Sequence, residues 1–513
     1  MIRRLALPGA VVLALAVVFA VAWATRPGAS GASMESDQAA AVTSITRSCP
    51  PSAPGSAAAQ ISMIALPSQA AASSGAGPTT GAAKFSAVLA APAAAGAGTT
   101  PSAGKTSAAG KTSTSADVKT KTTQPVTVLT PGAVATVTAP GDAGTAVAAT
   151  GKMAEGFEAE QADASGTGLV TCTHPGSDMW FVGTGQAAGA SQVWLYLMNT
   201  GNLTASADVT ILTDTGQQNG LTSAITIAPN QSVAENITPY VQGSQALALH
   251  VQTNTGQVAA SVWEGNSSGG AWLPQANAPS TSLVIPGLTV ASSAARLFVV
   301  VPGSTDAQLK VVAYTPSGAV TQFPGSPVDA SAGATTELAL NSLGASAAGL
   351  KLTANQPIVA GVLVPGSGIG SFTTAVPPIT EQGVVAGNPG TRGVTVGLLL
   401  TAPKTAARAS ISVISADGTV TTPAGDQSVT VAAGHTLAVA VARPSAGTRQ
   451  PFAIVVTPQH GSGPLYGVRV VTSGTGGLSA PLTSLLPVAS AVTSIMLPPA
   501  QDSYTAVLPA PNS

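Results

Sequence analysis

The chain has 513 residues, enough for three or four ordinary domains, with only 8% charged and 4% aromatic side chains, 56 Gly and 39 Pro. So low a charge fraction excludes both a charged disordered chain and long exposed helices, which stay soluble through Glu, Lys and Arg. Nineteen basic residues against 20 acidic ones, in no long block, leave no phosphate-neutralising stripe, so nucleic acid is not an expected partner.

Arg3 and Arg4 precede "LALPGAVVLALAVVFAVAWA" (5–24), a basic start followed by an apolar run of spanning length. We read residues 1–24 as a membrane anchor with a cytoplasmic N-terminus, or as a signal peptide cleaved after "AWA". Either reading makes the remainder extracytoplasmic, with the membrane contacted through residues 5–24. Residues 25–44 read as a linker. The stretch 68–124, with "AAPAAAGAGTTPSAGKTSAAGKTSTSADVKTKTTQ", has almost nothing large to bury. It is expected to be a disordered insertion inside a first β unit, residues 45–182.

Beyond it the chain repeats at intervals of about 100 residues. "ADVTILTDTG" (207–216), "LKVVAYTPSG" (309–318) and "ASISVISADG" (409–418) each alternate apolar and polar residues and close on a glycine, at 216, 318 and 418. A second hairpin recurs in "ITIAPNQSVAENI" (225–237), "VDASAGATTELAL" (328–340) and "VTVAAGHTLAVAV" (429–441), and "VTVLTPGAVATV" (126–137) fits the same template. Its turn residues, Gly132, Asn230, Gly333 and Gly434, all tolerate a left-handed backbone. Many short strands punctuated by turns imply an all-β protein: immunoglobulin-like β-sandwich units at 45–182, 190–285, 292–380 and 392–500, then a tail at 501–513. Paired β-propeller blades are the alternative.

No catalytic constellation stands out. There is no G-x-S-x-G, H-E-x-x-H, C-x-x-C or phosphate-cradling G-x-x-x-x-G-K, and the one S-x-x-K, Ser102 to Lys105, falls in the low-complexity insertion. "GTGQAAG" (183–189) misses the dinucleotide spacing and reads as a glycine-rich linker. His435 and His460 fall in turns of the last unit and fall short of the three ligands that zinc wants. Glu155, Glu158, Glu160 and Asp163 in "AEGFEAEQAD" are a calcium candidate, set against a solvated acidic loop. Trp263 and Trp272 flank "EGNSSGGA", a loop that could present its rings to cell-wall glycan. Cys49 and Cys172, an even count in an exported chain, read as a disulfide that brackets the insertion, with Trp180 covering it. No enzyme activity, metal or cofactor is expected from these residues.

The "SCP" at 48–50, the "CTHPGSDMWFVG" at 172–183 and the basic, apolar N-terminus resemble actinobacterial exported proteins of domain of unknown function 5719. That resemblance implies an envelope location and a strand-rich architecture, and brings no catalytic residues with it. The functional expectation is a non-enzymatic envelope scaffold or interaction stalk with envelope proteins as partners. A glycan-binding accessory of envelope assembly is the alternative.

Overall fold

The computed structural model describes residues 38–497 apart from 57, 68–79, 91–126, 129, 164–167, 220, 222, 290–294, 322–326, 341–342, 344–346, 367, 445–448, 475 and 480. The expected membrane segment 5–24 and tail 501–513 lie outside the described residues, as does most of the insertion. Among the described residues every extended element is a strand, and no helix is long and apolar enough to cross a membrane.

Two compact units emerge. One contains the strands Gln38–Ala41 and Ser494–Leu497, paired antiparallel. The other runs from Val42 to Thr493 and holds all the remaining strands.

Within the larger unit one pairing order recurs. Asp178–Thr184 pairs with Ala246–Thr255, which pairs with Ala205–Thr213, which carries the short strands Gly216–Gln218 and Ile225–Ile227. The second sheet has the order Gln231–Asn236, Gln192–Asn199, Ala259–Asn266, Gly269–Leu273. The same two orders open again at Ser280–Thr289 and at Gly383–Asn388. They are also found in the N-terminal part. There Ser44–Cys49, Gly144–Thr150, Ala83–Ala90 and Thr127–Val128 form one order, and Ala135–Pro140, Ala58–Ile64, Glu158–Ala162 and Leu169–Thr171 the other. The turn residues behave as their chemistry requires: Gly132, Asn230, Gly333 and Gly434 have φ of 83°, 54°, 66° and 73°.

Three expectations need correction. Asp178–Thr184, placed at the end of the first unit, pairs with Ala246–Thr255 and opens the second set. Ser280–Thr289, placed largely at the end of the second unit, likewise pairs with Ala347–Val364 of the third. A strand joins the sheet whose edge it can hydrogen-bond, whatever its neighbour along the chain. Third, Ala83–Ala90 lies inside the supposed disordered insertion, yet buries Ala83, Phe85 and Val88. Its "AKFSAVLA" holds the only phenylalanine and the only leucine of residues 68–124, and the segment forms a strand against Gly144–Thr150. The supposed linker 183–189 is a strand end followed by a short 3-10 turn, Gln186–Ala188.

The sandwiches are not isolated beads. One core cluster joins Leu195, Leu247 and Leu249 to Phe298, Val300 and Leu363 of the next set, and another joins Leu350 and Val362 to Leu399, Val468 and Val470. Ile64, Leu66 and Val134 pack with Val384, Ala386 and Ala453, so the first set meets the last. Val88 and Ala146 pack with Met198 and Ala259, and Gln231–Asn236 pairs in parallel with Ala83–Ala90. Contacts therefore pass from the first set through the second and third to the fourth, and back to the first. Strands such as Gly383–Asn388 and Val394–Ala402 are buried on both faces almost throughout. That is the use of the low charge content: much of what would be outer surface in a lone sandwich is core here.

Candidate functional site

The richest chemistry gathers around the disulfide. Cys49 and Cys172 are bonded across 123 residues of sequence and are fully buried. They share a core with Ile61, Phe85, Val147, Met153 and Phe157. Trp180 is not among these residues. It stacks on His250, with ring centroids 4.0 Å apart, and belongs to the core of the next set. The aromatic residues that share the bridge's core are Phe85 and Phe157, while Trp180 follows its strand into the neighbouring sandwich.

Alternation along Glu158–Ala162 sends Phe157 and Ala159 into the disulfide core and Glu158 and Glu160 to the opposite face. Both carboxylates are buried, at 2% and 4% exposure, and each meets an arginine. Glu158 pairs with Arg47, whose Nη2 also donates to the Phe157 carbonyl. Burial pushes the Glu158 carboxyl up to about 7, with Arg47 opposing the rise and Glu160 adding to it. Glu160 accepts from Arg469 Nη1 at 3.1 Å and from the backbone N–H groups of Ala386 and Gly387 at 3.2 and 3.0 Å. Arg469 is fully buried and also donates to the Gly387 carbonyl; desolvation lowers its pKa and Glu160 counters that. Gly387 lets the carboxylate come close: a Cβ at that position would stand 3.2 Å from the Glu160 Oε2, a tight contact.

These pairings remove the calcium candidate. Glu158 and Glu160 are committed to arginines, so they do not converge with Glu155 and Asp163. Among the described residues no three His, Cys, Asp or Glu side chains are grouped to hold a metal ion. The two arginines carry no motif; Arg47 stands in "SITRSC" and Arg469 in "YGVRVVTS", and only their position in apolar strands hinted at burial.

The glycan loop is corrected too. Trp263 and Trp272 are 6% and 7% exposed and face each other across the Ala259–Asn266/Gly269–Leu273 hairpin. The Trp263 ring lies over Gly265 and Gly270, where a Cβ would collide with it, and Trp272 packs on Tyr196. Glycines that looked like a flexible loop are the seat for the ring. With both indoles buried, the glycan reading loses its residue-level support.

A cavity of about 310 Å³ lies beside the disulfide, at the junction of all the sandwiches. Arg47, Glu158, Val170 and Thr173 line it from the first set, Phe181, Ser261 and Leu273 from the second, Val376 and Pro377 from the third, and Val488 and Ala489 from the fourth. Thr173 ties two walls together: its backbone bridges Ser48, and its Oγ1 donates to the Ala260 carbonyl at 3.2 Å. Desolvation and then the Arg47 charge hold the pKa of His174, also on the lining, below its ordinary value. Two buried polar atoms of the lining residues, Arg47 Nε and Ser261 Oγ, have no hydrogen-bond partner among the described residues.

An all-β chain of paired sheets, stapled by one disulfide and cross-braced by buried ion pairs, is the class that fold and site define. The family of unknown function DUF5719 matches residues 129–442, and the chain belongs to that family. No curated protein sequence matches it. The crystal structure of Streptomyces avermitilis alpha-L-rhamnosidase complexed with L-rhamnose is similar at 11% identity with a TM-score of 0.11. The likeness covers 85% of this chain and 55% of that one, and is too slight to carry an inference of fold or activity.

Proposed function

We propose that the protein is a non-enzymatic, extracytoplasmic scaffold of the cell envelope, built from four immunoglobulin-like β-sandwich units and held at the membrane through residues 5–24 or released by cleavage after them. The observation that carries this reading is the Glu160–Arg469 pair, which ties the first unit to the fourth across 309 residues of chain. A pair so costly to desolvate makes sense where relative placement of units matters. The buried disulfide supports assembly on the oxidising side of a membrane. Shared cores between successive units favour a rigid platform over a stalk of independent beads.

The test is affinity purification from envelope fractions with the ectodomain and with its Arg469→Met form, which strands the Glu160 carboxylate. A defined envelope protein that co-purifies with the native ectodomain and is lost from the loosened one is the expected result. Retention of no protein by either form, or turnover of envelope glycan by the native one, overturns the proposal.

A further inference from the structure

Each set supplies one short strand near its C-terminal end: Leu169–Thr171, Gly269–Leu273, Ser371–Thr374 and Leu482–Pro487. These four neighbour one another in a closed cycle, first with second, second with third, third with fourth and fourth with first. They therefore stand around one axis. The cavity beside the disulfide lies toward their ends, and a second one, of about 190 Å³, lies toward their starts. This second cavity is a polar cup, lined by Asp163, Ser268, Trp272, Ser371 and Ser484 with glycines between them. The glycines are there because the turns crowd one another. A Cβ on Gly368 would stand 3.2 Å from Gly269, and Gly269, Gly368 and Gly370 have φ of 136°, 67° and 107°. The wall they make is bare backbone, which offers N–H and C=O groups.

The side chains of the cup add donors and acceptors that a ligand can reach. Ser371 Oγ accepts from the Leu485 N–H at 2.6 Å, which leaves its own proton to donate. Trp272 is 7% exposed, and its indole N–H bonds to no described residue; unlike the Trp180 N–H, it is not shut off from solvent. The Ser484 hydroxyl is in the same position. Asp163, the only charged residue of the lining, supplies carboxylate acceptors. This mixture selects the ligand class. A cation has no use for the indole and hydroxyl donors, an anion is repelled by Asp163, and an apolar molecule leaves every one of these groups unpaired. A sugar hydroxyl both donates and accepts, as the mixture demands. The volume is below the ~300–1,000 Å³ of pockets for drug-sized ligands, which suits a single ring. We propose that this cup binds one neutral sugar ring, its hydroxyls on Trp272 Nε1, Ser371, Ser484 and Asp163. Trp272 contributes a hydrogen-bonding edge here, in place of the exposed stacking face expected of its loop. The scaffold reading is not needed for this site.

Isothermal titration of the intact chain, purified in a sugar-free detergent, with glucose, galactose, mannose, cyclohexanol and calcium chloride tests this. One hexose is expected to saturate a single site, roughly ten-fold or more tighter than a poorer epimer and than cyclohexanol, because the site reads directional hydrogen bonds. Trp272→Phe keeps an aromatic ring, removes the N–H and should weaken binding by roughly ten-fold. Since that variant also touches a packed ring, Ser268→Tyr provides the second arm. It blocks the cup from an exposed turn and should abolish binding with an unchanged melting temperature. No saturable binding of any hexose, equal affinity for cyclohexanol or for all three hexoses, calcium binding that excludes the sugar, or unaltered binding by Ser268→Tyr would overturn the proposal.

Discussion

Glu264 is a carboxyl with 0% exposure whose oxygens accept from the Thr184 backbone N–H at 3.0 and 3.1 Å and from Thr184 Oγ1 at 2.7 Å. Those bonds favour the ionised form, but desolvation outweighs them and pushes its pKa up to about 8. Glu158 is raised to about 7 for the same first reason. In both cases the folded state binds its proton more tightly than the unfolded chain. Their contribution is therefore complete below the unfolded carboxylate pKa and is lost as pH rises through the folded value. Unfolding free energy should fall between about pH 4.5 and 8 and level off above that, as urea titrations across the range would show. Glu264→Gln should flatten most of the fall and be the more stable form at pH 8, by an amount on the order of a few kcal/mol. A parallel pH profile in that variant would refute the assignment. Gly183 belongs to the same arrangement: a Cβ there would strike both the Glu264 carboxylate and Leu273.

At the scale of the element, turns and hairpins follow local rules. Gly333 closes its turn at φ 66° with open space where a Cβ would stand. Gly333→Ala should therefore cost only the left-handed backbone penalty, about 1–2 kcal/mol, with no change in the cores. A larger loss in chemical denaturation would mean that the turn has contacts beyond its backbone. The Trp263 hairpin behaves differently, because its ring is packed on its own glycines and beside Trp272. Trp263→Ala should cost about 3–5 kcal/mol, as truncating a buried aromatic does. An exposed ligand-binding indole would cost far less, so the size of the loss separates the two readings. Repeating alternation made the strands and the left-handed turn positions legible in sequence. The ring's fate was not legible, because "EGNSSGGA" reads the same whether the indoles point to solvent or fold back.

At the scale of the whole molecule, two devices hold distant parts together. The disulfide closes a loop of 123 residues, worth on the order of 4–5 kcal/mol in the simple chain-entropy account. Since both sulfurs are buried, dithiothreitol alone should leave it intact, and reduction should need denaturant; differential alkylation with mass readout checks this. The Glu160–Arg469 pair is the second device. Arg469→Met should lose about 3–5 kcal/mol by stranding a buried carboxylate, and adding Glu160→Gln should restore much of it. Equal and additive losses in that double-mutant cycle would show that the pair is not coupled.

The all-β class, the hairpins, the turn glycines and the disulfide partners were determined by the sequence itself, because each rests on short-range periodicity, backbone chirality or a count of two cysteines. What the tertiary structure alone decided is where each strand pairs and what each rare charge meets. Asp178–Thr184 and Ser280–Thr289 joined the following sandwich, Ala83–Ala90 found an edge inside a seemingly formless stretch, and Glu158 and Glu160 met Arg47 and Arg469 instead of a metal ion. Strand pairing and ion pairing join residues a hundred or more positions apart, and no local pattern encodes a partner at that range. The cavity beside the disulfide has the same origin: its walls come from every sandwich, so it exists only once they have packed.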